Sequence, residues 1–83
     1  MNRQDDEFTT HDLNMTASML AVGHSLDKIH KQPGGRATFV FKRSAALEKD
    51  LKGYWNQELL VNPHVLFTNL KFIKSRLYSE AIH

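Results

Sequence analysis

Five histidines, at positions 11, 24, 30, 64 and 83, are the residues of this 83-residue chain that most invite chemistry, because imidazole ligates metals and moves protons near neutral pH. Their spacing points away from both uses. His11, His24, His30, His64 and His83 never fall three or four residues apart on one helix, and no His-x-x-x-His or His-Glu arrangement appears. The chain has no cysteine, which removes thiolate zinc sites, iron–sulfur clusters, disulfides and thiol nucleophiles. The spacing therefore predicts no metal site and no cofactor. Serines are available beside the histidines, but no nucleophile elbow places them together. Asp5, Asp6 and Glu7 are like charges in a polar leader and read as a solvated run, not as a general acid and base. Gly34 and Gly35 follow a proline and precede a strand, so they lack the strand–loop–helix order of a phosphate cradle. No catalytic set emerges, and the chain is expected not to be an enzyme.

Binding surfaces are the other chemistry available. At ~100° per residue, Leu13, Ala17 and Leu20 share one face of the first helix, while Met15, Met19 and Val22 fall on the opposite one. Two readings follow: the helix is sandwiched between other elements, or Met15, Met19 and Val22 form a surface for a protein partner or for self-association, a role that adaptable methionine stripes suit. In the last helix Phe67, Lys71, Lys74 and Tyr78 recur at four, three and four residues. Aromatics interleaved with lysines can stack on bases and meet phosphates, or can edge a core with the lysines lying over them. Lys28, Lys31, Arg36, Lys42 and Arg43 add a basic hairpin. From Ala17 to Gly53 there are seven Lys or Arg against three Asp or Glu, whereas Met1 to Thr16 carries one against four. Trp55 beside Tyr54 at a helix end reads as a core plug; an exposed Trp55 would be a hot-spot candidate for protein binding.

The elements that must position these residues are short. Residues 1–7 form a polar leader, residues 8–80 one domain and residues 81–83 a tail. Phe8 to Thr10 can start with a short strand, and Thr9 with Asp12 matches a capping box ahead of a helix that runs to Val22, where Gly23 suits a left-handed cap. Gln32 to Gly35 supply turn chemistry, and Arg36 to Arg43 alternate in the period-two pattern of a strand, so a β-hairpin with its tip at Pro33 to Gly35 follows. Ser44 caps a second helix with Leu47, Leu51, Tyr54 and Trp55 at helical spacing. Gly53 inside it marks close packing of another backbone or an early end. Glu58 to Val61 is a connector or short strand. Asn62 and Pro63 begin a third helix, to about Ser79, that buries Leu66, Leu70, Ile73 and Leu77. The fold class is α+β: a two-layer domain in which the hairpin, extended to three or four strands by short strands at Phe8 and Leu60, packs against three helices.

The segments FTTHDLNMTASMLAVGH, GGRATFVF, LKGYWNQELLVNP and LKFIKSRLY together resemble a family of small bacterial and phage proteins known as domain of unknown function 5659. The resemblance runs from Phe8 to Tyr78. The family's Phe-x-Thr-x-Asp-Leu start is matched by Phe8, Thr10, Asp12 and Leu13, its Leu-x-x-Gly helix end by Leu20 and Gly23, and its Lys-x-x-Leu-Tyr finish by Lys74, Leu77 and Tyr78. It implies a bacterial or mobile-element setting and carries over no catalytic or binding residue.

Composition bounds the rest. A chain of 9.6 kDa with 41% hydrophobic and 24% charged residues is ordinary for one small domain, and a formal charge of +2 does not force a nucleic-acid partner. The acidic start is unlike a signal peptide, and no apolar run approaches the ~18 residues of a membrane span, so a cytoplasmic protein without membrane attachment is expected. The sequence points to a non-catalytic interaction protein of bacterial or phage origin, such as a small inhibitor or accessory factor. The alternative is a weak nucleic-acid-binding module built from Lys28, Lys31, Arg36, Lys42, Arg43, Phe67, Lys71, Lys74 and Tyr78.

Overall fold

A computed structural model describes residues 6–82, with side chains through residue 78. Six elements follow in order: β1 (Glu7–Thr10), α1 (Leu13–Ala21), β2 (Lys28–Lys31), β3 (Ala37–Lys42), α2 (Ala45–Trp55) and α3 (Pro63–Ile82). Three strands and three helices make a small α+β domain, whose shortest axis of 18 Å accommodates one sheet and one helix layer.

The sheet order is β1-β3-β2, with β3 antiparallel to both neighbours. β1 and β2 are therefore parallel to each other and joined by α1, with β3 inserted between them. The hairpin of β2 and β3 turns at Pro33 to Gly35, where Gly34 (φ 91°) and Gly35 (φ 86°) hold left-handed backbone and Gln32 N–H donates to the Arg36 carbonyl at 2.8 Å. The strand expected at Phe8 exists, beginning one residue earlier at Glu7. The strand expected at Leu60 does not: residues 58–62 form an unpaired connector. It returns along α2, with Glu58 and Leu59 N–H both donating to the Gly53 carbonyl; a Cβ placed on Gly53 would meet Leu59 at 3.8 Å, ordinary contact, so the approach of this backbone does not itself demand glycine.

Alternation along β3 sends Ala37, Phe39 and Phe41 toward the helices, joined by Phe8 of β1 and Ile29 of β2 at paired positions. α1 lies between α2 and α3 over this face. Met15 and Met19, 2% and 0% exposed, pack with Phe41, Leu47 and Leu51, and Ala17 packs with Ala37, Phe39 and Ile73. Both faces of α1 are thus core. This corrects the expectation that Met15 and Met19 offer a surface to a partner; Val22, the helix's C-terminal cap, is half-buried. Thr16 and Ser18 are also buried, and their hydroxyls donate to the carbonyls of Asp12 and Asn14, which satisfies the polar atoms where apolar packing is tight.

The helix ends explain the boundaries. Asp12, not Thr9, caps α1: its carboxylate accepts from Met15 N–H at 3.1 Å, while Thr9 is a β1 residue paired with Val40. At the other end Gly23 N–H donates to Leu20 and His24 N–H to Met19, the two bonds of a left-handed glycine cap. Ser44 Oγ accepts from Leu47 N–H to start α2, and Asn62 Oδ1 accepts from His64 and Val65 N–H ahead of Pro63 to start α3. α3 continues through Ala81 and Ile82, beyond the expected end near Ser79 and into the expected tail. Its stripe is as read, with Ile73 fully buried and Leu66, Leu70 and Leu77 packed around it.

Candidate protein-binding surface

The basic residues of the hairpin are distributed by strand pleating. Paired residues share a face, so Lys28, His30, Thr38, Val40, Lys42, Glu7 and Thr9 lie on the side of the sheet opposite the helices, whereas Lys31 lies on the helix side. Lys28 Nζ is 3.7 Å from Glu7 Oε2. Arg43 pairs with Glu48, donates through Nε to the Glu7 carbonyl at 3.1 Å, and sits over the Phe8 ring at 5.8 Å. Lys31 Nζ donates to the Leu77 carbonyl at 2.9 Å and pins β2 to α3. Arg36 and Lys42 are exposed. Phe67, Lys71, Lys74 and Tyr78 stand in the helix layer, so the expected single patch beside the last helix is divided, and three of its five hairpin cations hold the domain's own groups.

The histidines are equally dispersed. His24 Nε2 hydrogen-bonds Asp50 Oδ2 at 2.6 Å, linking the end of α1 to α2. It borders an open cleft of about 400 Å³ that also includes Ser25, Asp27, Lys42 and Ser44. Ser44 is engaged there as the α2 cap. His11 Nδ1 donates to the Ala37 carbonyl at 3.0 Å at the far end of the sheet. Among the described residues no three His, Asp or Glu side chains converge on a point that could hold a metal ion. Burial and the Asp12 carboxylate both raise the Tyr54 phenol above its ordinary pKa of 10.0.

The conspicuous surface is apolar. Among the described residues the large exposed hydrophobics are Trp55, Leu60, Val65, Phe67, Phe72 and Tyr78, all between the end of α2 and the last turns of α3. Trp55 is 68% exposed, which corrects its reading as a core plug. It stacks edge-on with Tyr54 at 5.8 Å, and Leu59 instead packs into the core cluster beside Tyr54. Leu60 is 91% exposed. Burial alternates along the connector, with Glu58 and Leu60 exposed and Leu59 and Val61 half-buried, but the three consecutive apolar residues Leu59 to Val61 carry no hydropathy alternation that would single out Leu60 from the sequence. On α3, Phe67 and Tyr78 are 59% and 69% exposed, with exposed Lys71 and Lys74 between them. On another side of the helix Arg76 lies over the Phe72 ring at 5.9 Å.

Residues 5–79, nearly the whole chain, match the family model described as domain of unknown function, DUF5659. The chain belongs to this family. No curated protein and no solved structure matches it. Membership in DUF5659 agrees with the resemblance seen in the Phe8 to Tyr78 motifs, and the structure shows what those motifs do in this domain. Asp12 is the α1 cap, Gly23 the left-handed turn that ends α1, and Leu77 a wall of the core. Of the quoted motif residues, Asp12, Gly23, Lys74 and Tyr78 are exposed in this DUF5659 domain; Asp12 and Gly23 serve the ends of α1, while Lys74 and Tyr78 lie along α3. None of the helices among its described residues is long and apolar enough to cross a membrane.

Proposed function

We propose that this DUF5659 domain is a non-catalytic, cytoplasmic binding protein of bacterial or phage origin that acts through a protein-facing surface on its C-terminal third. One observation carries the proposal: every large exposed apolar side chain among the described residues falls between Trp55 and Tyr78. Small monomers have little reason to concentrate such residues on one stretch of chain, and large exposed aromatics are the side chains that anchor partners; Phe67 and Tyr78 share one side of α3 and Phe72 lies on another. Size and the lack of a converged reactive set suit a small inhibitor or accessory factor. The Met15 and Met19 face does not contribute, because the core uses it.

A nucleic-acid-binding role is the second reading, favoured by one observation: Lys71 and Lys74 lie between exposed Phe67 and Tyr78. Light scattering at several protein concentrations, with a low-salt oligonucleotide titration on the same sample, separates the two. Protein binding predicts indifference to DNA and RNA, and either a dimer or a monomer awaiting a partner. A monomer that binds an oligonucleotide and releases it steeply as salt rises would overturn the first reading in favour of the second.

A further inference from the structure

The charge around the exposed face of α3 specifies what covers it. From Leu59 to Ser79 the chain has Lys71, Lys74 and Arg76 and no Asp or Glu, whereas its other residues hold eight Lys or Arg against nine Asp or Glu. Glu58 and Glu80 flank this run, and residues 17–53 carry the larger excess of seven cations against three acids; what sets α3 apart is that exposed Lys71 and Lys74 lie between exposed aromatics. Phe67, Lys71, Lys74 and Tyr78 follow one another along a single side of the helix, and eleven residues at ~1.5 Å each set the two aromatic ends roughly 16 Å apart.

We propose that this face docks an acidic amphipathic helix of a partner protein, an inference that rests on the protein-binding reading above. Phe67 and Tyr78 take the partner's apolar side chains at the two ends, and Lys71 and Lys74 meet carboxylates on the turns between them. A second copy of this chain is a poor occupant. Antiparallel pairing of two α3 faces sets Phe67 opposite Tyr78 but brings Lys71 and Lys74 of both copies together at the centre, where like charges repel. Single-stranded nucleic acid fits less well than a helix, because strands stack on closely successive rings, whereas Phe67 and Tyr78 stand three turns apart. The sheet face away from the helices, flat enough for bases, has no exposed aromatic among its described residues.

The test is selection of helix-forming peptides of about 18 residues from a display library on the intact chain at low salt. The enriched peptides are expected to be net negative, with Asp or Glu between apolar positions. A synthetic representative should lose at least ~tenfold in affinity for Lys71→Glu/Lys74→Glu and for Phe67→Ala, with thermal melts confirming the fold. If the charge reversal misfolds, Lys71→Gln/Lys74→Gln replaces it, with a smaller but clear loss expected. Neutral or basic winners overturn the inference, and so do acidic winners that ignore the lysine variants. If such winners are lost on Trp55→Ala, the protein-binding reading stands while this one falls. A selection that yields no binder overturns both, and salt-sensitive binding of a thymidine oligonucleotide of about 20 nucleotides, lost in Phe67→Ala, would put nucleic acid in their place.

Discussion

His24 Nε2 lies 2.6 Å from Asp50 Oδ2, so the residue just past the glycine that ends α1 is tied to the middle of α2. The two helices approach each other through only a small interface, and both partners of this hydrogen bond are partly shielded from water. The pair fixes the loop from His24 to Asp27 before β2 begins. His24→Ala is expected to cost about 1–2 kcal/mol and Asp50→Asn about 1 kcal/mol, with a coupling of at least ~0.5 kcal/mol in the double mutant. Urea denaturation of the four proteins measures it; strictly additive losses would show that the hydrogen bond contributes nothing.

Met19 is fully buried among Phe41, Leu47 and Leu51. Met19→Ala is expected to lower stability by about 2–4 kcal/mol, the usual cost of a core truncation. Met15→Lys/Met19→Lys should leave the chain without a cooperative thermal transition by circular dichroism, because two charges enter a site with no partner for them. A well-folded double lysine variant would return these methionines to the surface.

How far the sequence spoke for itself differs by element. β3, the hairpin tip and α3 were legible because alternation, turn glycines and the Asn62–Pro63 start all agreed. The strand at Leu60 was misread because Leu-Leu-Val has strand composition, yet the connector's hydrogen bonds go to Gly53 and no strand lies beside it. Thr9 was mistaken for the α1 cap because Thr-x-x-Asp satisfies the pattern one turn too early; pairing with Val40 claims it for the sheet. For the surface, the Phe67 to Tyr78 stripe was visible from spacing alone. Trp55 was not, because it continues the Leu47–Leu51 stripe of α2 and only the position of Leu59 shows where the core stops. The division of the basic residues could not be seen before the strands were in register.

Gln57 carries a φ of 61°, the one left-handed residue other than glycine among the described residues. Its N–H donates to Tyr54 and that of Glu58 to Gly53, the same pair of bonds that Gly23 completes at the end of α1. A side chain at this position strains the backbone where glycine does not. Gln57→Gly is therefore expected to raise stability by about 0.5–1 kcal/mol, the reverse of glycine's ordinary effect inside a helix. Chemical denaturation with an unchanged slope checks it; a loss of stability would mean that the glutamine side chain contributes more than the strain costs.

Tyr54 has its phenol raised above 10.0 by burial and by the Asp12 carboxylate. In the folded chain it keeps its proton at pH values where the unfolded chain has begun to lose it. The folded state then binds more protons, so the stability contributed by neutral Tyr54 is complete below pH 10.0 and declines as pH rises from there through the folded value. Tyr54→Phe is expected to flatten that part of the stability profile. Absorbance titration of the phenolate, compared between the parent chain and Tyr54→Phe, should place the Tyr54 midpoint above the ordinary tyrosine value; a midpoint at or below it would contradict the burial.

Trp55 distinguishes a binding surface from a core most directly, since it is the chain's single tryptophan and its emission reports one environment. At 68% exposure the indole should emit as a water-exposed ring in the folded protein and change little on unfolding. Trp55→Ala is then expected to alter stability by no more than about 0.5 kcal/mol, as for an ordinary surface site, against the 3–5 kcal/mol typical of a buried aromatic. The same substitution should weaken a partner that covers the end of α2 by at least ~2 kcal/mol, because large aromatic side chains dominate binding when an interface desolvates them. A small effect on folding with a large effect on binding is the combination that assigns Trp55 to a partner. A large loss of stability would return it to the core and leave α3 as the principal exposed apolar surface.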